Sequence, residues 1–291
     1  MKIILATDGS AHSEDATWLL AHLPHSDKLE LVVLYVSNAP NLRGSMNDAE
    51  LIRRIEIADE LRAKSIFQHV SALFEGANAS LELVIAEGHI GTTIVHEAKT
   101  RESDLIVIGA VGHSLFERML GSISDFVATH AHCSVLVVRP TGLETRRRPI
   151  DLCIAYDESE PSAEAIKQLG QFGWGAQTNM DVVGVVTIPF VYSEIPYEFD
   201  LEEIKDTKEQ AIGDAAEELS KLSPNVKTHI IDSTHVGDAL VEFAKKKGSD
   251  VIVMGNTGDG MLSRFLVGST SRYVLRHAKC SVWIARKHAG A

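Results

Sequence analysis

Cysteine, long apolar runs and an apolar leader are scarce or missing in this sequence of 291 residues. The three cysteines, Cys133, Cys153 and Cys280, are too few and too scattered for a disulfide framework. The longest apolar runs, such as Leu105–Ala110, are far shorter than the roughly 18–20 residues that a membrane-spanning helix needs. The sequence opens on Met1–Ala6, which is typical of a strand and not of a secretory leader. We therefore expect a cytoplasmic protein in a reducing compartment, with no membrane association.

Basic residues are fewer than acidic residues in this chain. The chain has 28 lysines and arginines against 40 aspartates and glutamates, which gives a formal net charge of −12. Such a surface repels phosphate backbones and anionic lipids, so we expect no nucleic-acid partner. Hydrophobic residues make up 45% of the chain, which is enough to form a hydrophobic core. The length of 291 residues suggests about two domains. Ordinary contents of proline and glycine exclude a disordered or fibrous chain.

The chain repeats itself. Three collinear pairs of segments carry the repeat: Ile3–Ser10 with Leu152–Ser159, Ser103–Gly109 with Ser249–Gly255, and His130–Val135 with His277–Val282. Small differences in loop length explain why the offset drifts from 149 to 147 residues. We therefore predict a duplicated domain, at residues 1–140 and 150–288. The connector between them holds three consecutive arginines, Arg146, Arg147 and Arg148, which we interpret as solvated, with anion binding as the alternative.

Short apolar runs alternate with amphipathic stretches in each copy. The runs are Lys2–Thr7, Glu30–Val36, Ser80–Ala86, Asp104–Gly109 and Ser134–Val138, then Asp151–Tyr156, Met180–Val186, Lys227–Asp232, Val251–Gly255 and Ser281–Ala285. Their continuous Val, Ile and Leu content is typical of parallel strands covered on both faces. Helical spacing between them places Ile66, Val70 and Leu73 on one apolar face. Ser10 and Ser159 are predicted helix N-caps. The predicted fold class is α/β: two tandem doubly wound, Rossmann-like domains, each a five-stranded parallel sheet with helices on both faces.

Ligands of doubly wound sheets bind at the carboxyl ends of the strands, where the strand order reverses. The first strand of each copy is followed by Thr7 and Asp8, or by Tyr156 and Asp157. A carboxylate there can accept hydrogen bonds from a ribose hydroxyl or an adenine amino group. It can equally help to cap the helix that follows. The spacing alone favours neither interpretation.

Glycines follow the fourth strand of each copy. They are Gly109, Gly112 and Gly121, followed by Ser122, and then Gly255, Gly258 and Gly268, followed by Ser269 and Thr270. Glycine lets backbone amides approach an oxygen closely, and a helix N-terminus adds free N–H groups and partial positive charge. This is the physics of a phosphate-binding loop. The loop is neither a Walker P-loop nor a nucleophile elbow, and a Rossmann fingerprint would follow the first strand instead.

These loops resemble those of the universal stress protein family, and the resemblance covers essentially the whole chain as a tandem pair. The ATP-binding members of that family have two residues between the first two glycines, then nine, then Gly-Ser or Gly-Thr. The second copy matches this pattern fully, whereas the first has eight residues in the second gap. The resemblance implies an adenine nucleotide alpha hydrolase-like fold and binding of ATP or AMP/ADP, with Mg²⁺ as a further candidate.

The resemblance also implies roles for individual residues. Asp8, Asp157, Val36 and Val186 would border the adenosine. The glycine-motif residues, with His113, Ile123 and Thr270 beside them, would hold the ribose and phosphates. The family commonly dimerises through its last strand, so Ser134–Val138 and Ser281–Ala285 are expected to pair within one chain. A further homodimer stays open, and no protein partner is indicated.

The two copies differ at the phosphate position. Asp259 follows Gly258 directly and would repel a phosphate by about 1–4 kcal/mol unless a cation intervenes. His113, in the shorter first loop, is neutral or positively charged and therefore does not repel a phosphate. We therefore predict two inequivalent sites in a regulatory, stress-response protein. The alternatives are an interaction scaffold that has lost nucleotide binding and a slow ATPase, for which Asp259 is the only candidate metal carboxylate in the loop. Arg118 and Arg264, at equivalent loop positions, are expected to be solvated, with a phosphate or inter-domain contact as the alternative.

Overall fold

The computed structural model describes residues 1–25, 27–37, 49–111, 120–140, 142, 148–187, 201–257 and 267–287. Side chains are described for all of these except 49 and 201–204. The chain forms two compact units, Met1–Glu144 with Lys287–Ala291 and Thr145–Arg286. We call them the first and second units.

The first unit is a parallel sheet with helical crossovers. Its elements are β1 (Lys2–Ala6), α1 (Ala11–His22), β2 (Leu29–Ser37), α2 (Ala49–Leu73), β3 (Ala79–Glu87), α3 (Ile90–Thr100), β4 (Leu105–Gly109), α4 (Ser122–His130) and β5 (Ser134–Val138). The strand order is β3-β2-β1-β4-β5, with every described pairing parallel. The order therefore reverses between β1 and β4, which defines the switch point at which ligands of such sheets bind.

The second unit repeats this plan. Its elements are β6 (Leu152–Ala155), α5 (Glu160–Leu169), β7 (Met180–Thr187), α6 (Leu201–Ser220), β8 (Val226–Ser233), α7 (Val236–Lys247), β9 (Val251–Gly255), α8 (Ser269–His277) and β10 (Ser281–Ala285). The strand order is β8-β7-β6-β9-β10, again with parallel pairing. The predicted α/β class of tandem, doubly wound parallel sheets is confirmed.

The central strands form the core of each unit. Every residue of β4, β5, β9 and β10 is buried, which explains the continuous apolar runs in the sequence. The predicted apolar face of α2 is partly wrong. Val70 is buried, but Leu73 is 36% exposed and Phe74, one residue beyond the helix, is buried instead. The apolar face therefore continues to the residue after the helix, and Leu73 is partly exposed to solvent.

The connector ends in an ion pair that the sequence did not indicate. Arg148 was predicted to be solvated, but its guanidinium binds both carboxylate oxygens of Asp250, at 2.7 and 2.8 Å. It also donates to the carboxylate of Asp151 at 2.8 Å. Asp250 is only 3% exposed, and its carboxylate also accepts from the Asp151 amide. Arg146 and Arg147 lie outside the described residues.

We expect Arg148→Ala to lower the free energy of unfolding of the second unit by about 2 kcal/mol. A fully buried pair would lose about 3–5 kcal/mol, and the partial exposure of Arg148 reduces that value. Burial raises the pKa of the Asp250 carboxyl above its ordinary value, and Arg148 opposes that rise. Without Arg148 the folded variant takes up a proton more readily than the unfolded chain. The loss should therefore shrink as the pH falls from about 7 toward 4.

Urea unfolding followed by tryptophan fluorescence at several pH values measures this effect, since Trp174 and Trp283 lie in the second unit. Lys246→Ala is the matched control, because it removes one positive charge from an exposed position on α7. Equal stabilities of the two variants at neutral pH would contradict the assignment of Arg148.

Candidate functional site

A cavity of about 550 Å³ lies at the carboxyl end of the first unit's sheet, at the switch point between β1 and β4. The structure brings together here the predicted residues Thr7, Asp8, Val36, Gly109, Gly121, Ser122 and Ile123. Gly112, His113 and Arg118 lie outside the described residues. Every first-unit site residue that the structure describes therefore lines one cavity.

The walls of the cavity are largely apolar. They are formed by Leu34 and Val36 of β2, Ile90 and Ile94 of α3, Ile108 of β4, and by Val111, Leu120 and Ile123. Successive side chains of a strand point to opposite faces of the sheet. Leu34 and Val36 face α3 and the cavity, whereas Tyr35 faces α2 and donates to Asp59 at 3.1 Å. An apolar wall with a few polar groups is typical of a small-molecule site and suits the flat face of a base.

The start of α4 forms one end of the cavity. Its N-cap is Gly121, which has no side chain to cap the helix, and the first-turn residues Ser122, Ile123 and Ser124 line the cavity. The Gly121 amide donates to the Ala110 carbonyl at 2.8 Å, and the Ser124 hydroxyl donates to the same oxygen at 2.5 Å. These bonds fix the helix start against the end of β4. An open helix N-terminus of this kind attracts an anionic group.

The aspartates after the first strand of each unit act locally as turn-formers. Asp8 accepts from the Ser10 amide at 3.0 Å, and Asp157 accepts from the Ser159 amide at 3.2 Å. One oxygen of each carboxylate therefore supports the start of the following helix, which is one of the two interpretations that the sequence allowed. Asp8 also lines the cavity, so its role toward a ligand stays a prediction.

Close packing requires the first glycine of each motif, and the sequence did not indicate this requirement. A Cβ on Gly109 would lie 2.6 Å from the backbone oxygen of His12, and one on Gly255 would lie 2.6 Å from Cβ of Pro161. Both contacts are shorter than real Cβ contacts allow. These glycines let the first turn of α1 and of α5 pack directly on the end of a strand. They build the site by close packing, whereas the sequence suggested close approach of a phosphate.

The strand register shows which residue of β7 is equivalent to Val36. Ala6 pairs with Leu34 in the first unit, and Ala155 pairs with Val183 in the second. Counting two residues onward from each partner matches Val36 to Val185. Val186, the predicted residue, lies on the opposite face of β7, the face on which Gly184 contacts α6. A slip of one residue moves a side chain to the other face of a sheet. The register therefore makes Val185 the equivalent of Val36, and the role of either valine toward a ligand stays a prediction.

Tyr156 takes the place in the second unit that Thr7 holds in the first. Burial raises the pKa of its phenol, and the carboxylates of Glu158, Glu218, Asp157 and Asp214 raise it further. The roles of Tyr156 and Asp157 toward a ligand stay predictions.

The second unit repeats the anchoring of the glycine motif. The Gly268 amide donates to the Asn256 carbonyl at 2.7 Å, and the Ser271 hydroxyl donates to the Gly255 carbonyl at 2.9 Å. Ser269 and Thr270 begin α8, as predicted from the sequence. Gly258, Asp259 and Arg264 lie outside the described residues, as does the difference in loop length.

Within the described ranges, no group of three or more His, Cys, Asp or Glu side chains is placed to hold a metal ion. His130 and His277 stack on Phe126 and Tyr273, one helical turn earlier, with ring centroids 4.1 and 4.0 Å apart. No helix in the part of the chain that the structure describes is long and apolar enough to span a bilayer.

The fold and the cavity together define a class: a tandem, doubly wound α/β protein with a small-molecule cavity at the strand-order switch point of its first unit. A family model described as "Universal stress protein family" matches residues 1–139 and again residues 151–286. The chain belongs to the universal stress protein family.

Individual relatives agree with this assignment. The chain is 30% identical over 139 residues to universal stress protein MJ0531 of Methanocaldococcus jannaschii, which covers 47% of this chain and 81% of that protein. It is 24% identical over 213 residues to universal stress protein Rv2624c of Mycobacterium tuberculosis, covering 73% of this chain and 72% of that protein. A crystal structure of a universal stress protein from Archaeoglobus fulgidus has the same fold, with a TM-score of 0.66 at 18% identity, over 100% of this chain and 97% of that one.

Proposed function

We propose that the chain is a regulatory, stress-response protein of the cytoplasm that binds an adenine nucleotide, ATP or AMP/ADP, in the cavity of the first unit. The observation that carries the proposal is the composition of this one cavity. It joins an apolar wall for a base, the Asp8 carboxylate for hydroxyl or amino donors, and the open N-terminus of α4 for a phosphate.

The proposal includes a second, inequivalent site in the second unit, bordered by Asp157, Val185, Gly268 and Ser269. The described parts of the two sites differ in sequence. Gly9 has a left-handed φ of 70°, and its counterpart Glu158 adopts the same φ of 70°. Lys208 of α6 pairs with Glu158 at 3.0 Å, whereas the side chain of Ile66 occupies the space beside Gly9. These differences support unequal affinities, because the loop that holds Asp8 or Asp157 has different neighbours in each unit.

Two measurements on the purified full chain test the proposal. Denaturing the protein and separating the released small molecules should yield an adenine nucleotide. Titration calorimetry with AMP, ADP and ATP, with and without Mg²⁺, should then show saturable binding at two unequal sites. GMP and GTP are matched controls that carry the same phosphates on a different base. Absence of binding would overturn the proposal, and two identical sites would overturn the inequivalence.

A further inference from the structure

Ser10 and Ser159 occupy the same place in the two units. Each is the N-cap of the helix that follows the first strand, and each has the extended backbone of an N-cap, with φ and ψ of −77° and 161° for Ser10 and −68° and 154° for Ser159. Each also donates its amide to the aspartate two residues earlier. The backbones therefore match, and any difference between the two hydroxyls is a difference in side-chain bonding.

The Ser159 hydroxyl both donates and accepts a hydrogen bond within the protein. It donates to Asp157 at 2.5 Å and accepts from the Ser162 amide at 3.3 Å. The second of these bonds is the ordinary N-cap bond, which satisfies one of the free amides of the first helical turn. In the second unit, the N-cap serine thus stabilises its own helix.

The Ser10 hydroxyl makes neither bond. Its oxygen is buried and has no hydrogen-bond partner among the described residues, and Ser10 is only 8% exposed. The neighbouring hydroxyls donate elsewhere: Thr7 donates to Ser13 at 3.1 Å, and Ser13 donates to the Ser10 carbonyl at 2.9 Å. Buried polar groups almost always have a partner, so an unpaired one calls for a reason. Ser10 lines the cavity, and a rotation about χ1 changes the direction of its hydroxyl.

We propose that the Ser10 hydroxyl is a binding group of the first unit, which hydrogen-bonds to the bound nucleotide instead of capping α1. This inference rests on the proposed function and adds a residue that distinguishes the two sites. The ligand supplies the partner that the protein does not, so the bond forms only when the cavity is occupied. Ser159, with its hydroxyl already engaged, contributes no such bond in the second unit.

Two variants of the full chain, Ser10→Ala and Ser159→Ala, test the inference. Both also carry Val185→Trp, which blocks the second site. Each variant is titrated with AMP, ADP and ATP in separate runs, and its thermal midpoint is measured without ligand. Ser10→Ala should weaken nucleotide binding about fivefold, as expected for one neutral hydrogen bond, and leave the midpoint unchanged. Ser159→Ala should leave the affinity unchanged and lower the midpoint by about 3 °C, because a helix cap is lost.

Three outcomes would overturn the inference. If the Val185→Trp chain binds nucleotide and Ser10→Ala binds equally well, Ser10 is not a ligand group. If Ser10→Ala lowers the midpoint as much as Ser159→Ala does, Ser10 caps α1 in solution. If neither the wild-type chain nor the Val185→Trp chain binds any of the three nucleotides, the proposed function itself fails, and the assignment of Ser10 fails with it.

Discussion

Val36→Trp is expected to lower the affinity of the first unit for adenine nucleotide about a hundredfold, which corresponds to about 2.7 kcal/mol. Val36 lines the cavity and is half-buried, so the larger indole occupies the space that the base would fill. The rest of the core is not overpacked, because the added volume enters an existing cavity of about 550 Å³. The folding stability should therefore change little. Calorimetric titration of the variant should show only the site of the second unit.

Two matched variants of β7 test the register at the same time. Val185→Trp should remove binding in the second unit alone, because Val185 corresponds to Val36. Val186→Trp should instead destabilise the second unit, since Val186 is only 3% exposed and lies on the face that packs against α6. If Val186→Trp removed the second site while Val185→Trp did not, the register assignment would be wrong. If Val36→Trp bound nucleotide like the wild type, the cavity would not be the site.

Gly109→Ala is expected to lower the free energy of unfolding of the first unit by about 3 kcal/mol, the upper part of the range for overpacking. The added methyl group would lie 2.6 Å from the backbone oxygen of His12, and a backbone atom cannot rotate away as a side-chain end can. Urea unfolding followed by fluorescence reports on this unit through Trp18. Gly255→Ala should produce the equivalent loss in the second unit, where the clash is with Pro161.

Gly175→Ala provides the control, because a Cβ at Gly175 meets no atom of the described residues within 4 Å. Its stability should remain within about 0.5 kcal/mol of the wild type, as for most surface substitutions. A Gly109→Ala chain that unfolds at the same urea concentration as this control would show that α1 does not pack on the end of β4 as described.

The fold was predictable from the sequence because its signals are redundant. Each of the ten described strands was predicted within two residues, since continuous Val, Ile and Leu runs have few alternatives in a chain with regular helical spacing between them. The internal repeat gave every element a second, independent instance. The position of the cavity followed from the order of strands and crossovers, because the topology fixes where the strand order reverses.

The site of the second unit depends on a one-residue difference, which decides the face of the strand on which a side chain lies. Val185 and Val186 are chemically identical neighbours, so only the pairing of Ala155 with Val183 distinguishes them. Tyr156 was chosen because it follows a strand, as Thr7 does in the first unit. A comparison anchored on the first strand of each copy, and counted residue by residue into the second, would have found Val185 from the sequence.

Other features depend on contacts between residues distant in the chain. The bidentate pair of Arg148 and Asp250 joins residues 102 apart, and no local pattern in the arginine run indicates it. Ser10 and Ser159 look alike as N-caps in sequence, and only the hydroxyl geometry separates them. Such differences come from side-chain orientation, which composition and periodicity do not determine.

Hydrogen–deuterium exchange of the full chain, with and without saturating AMP, ADP or ATP, tests the central claim most directly. A nucleotide in the first-unit cavity would bind the free amides at the start of α4 and cover the turn after β1. We predict slower exchange in the peptides that contain Gly121–Ser124 and Thr7–Ser13, and no such slowing in Val36→Trp. Saturable nucleotide binding that leaves both peptides unchanged in the wild-type chain would contradict the account.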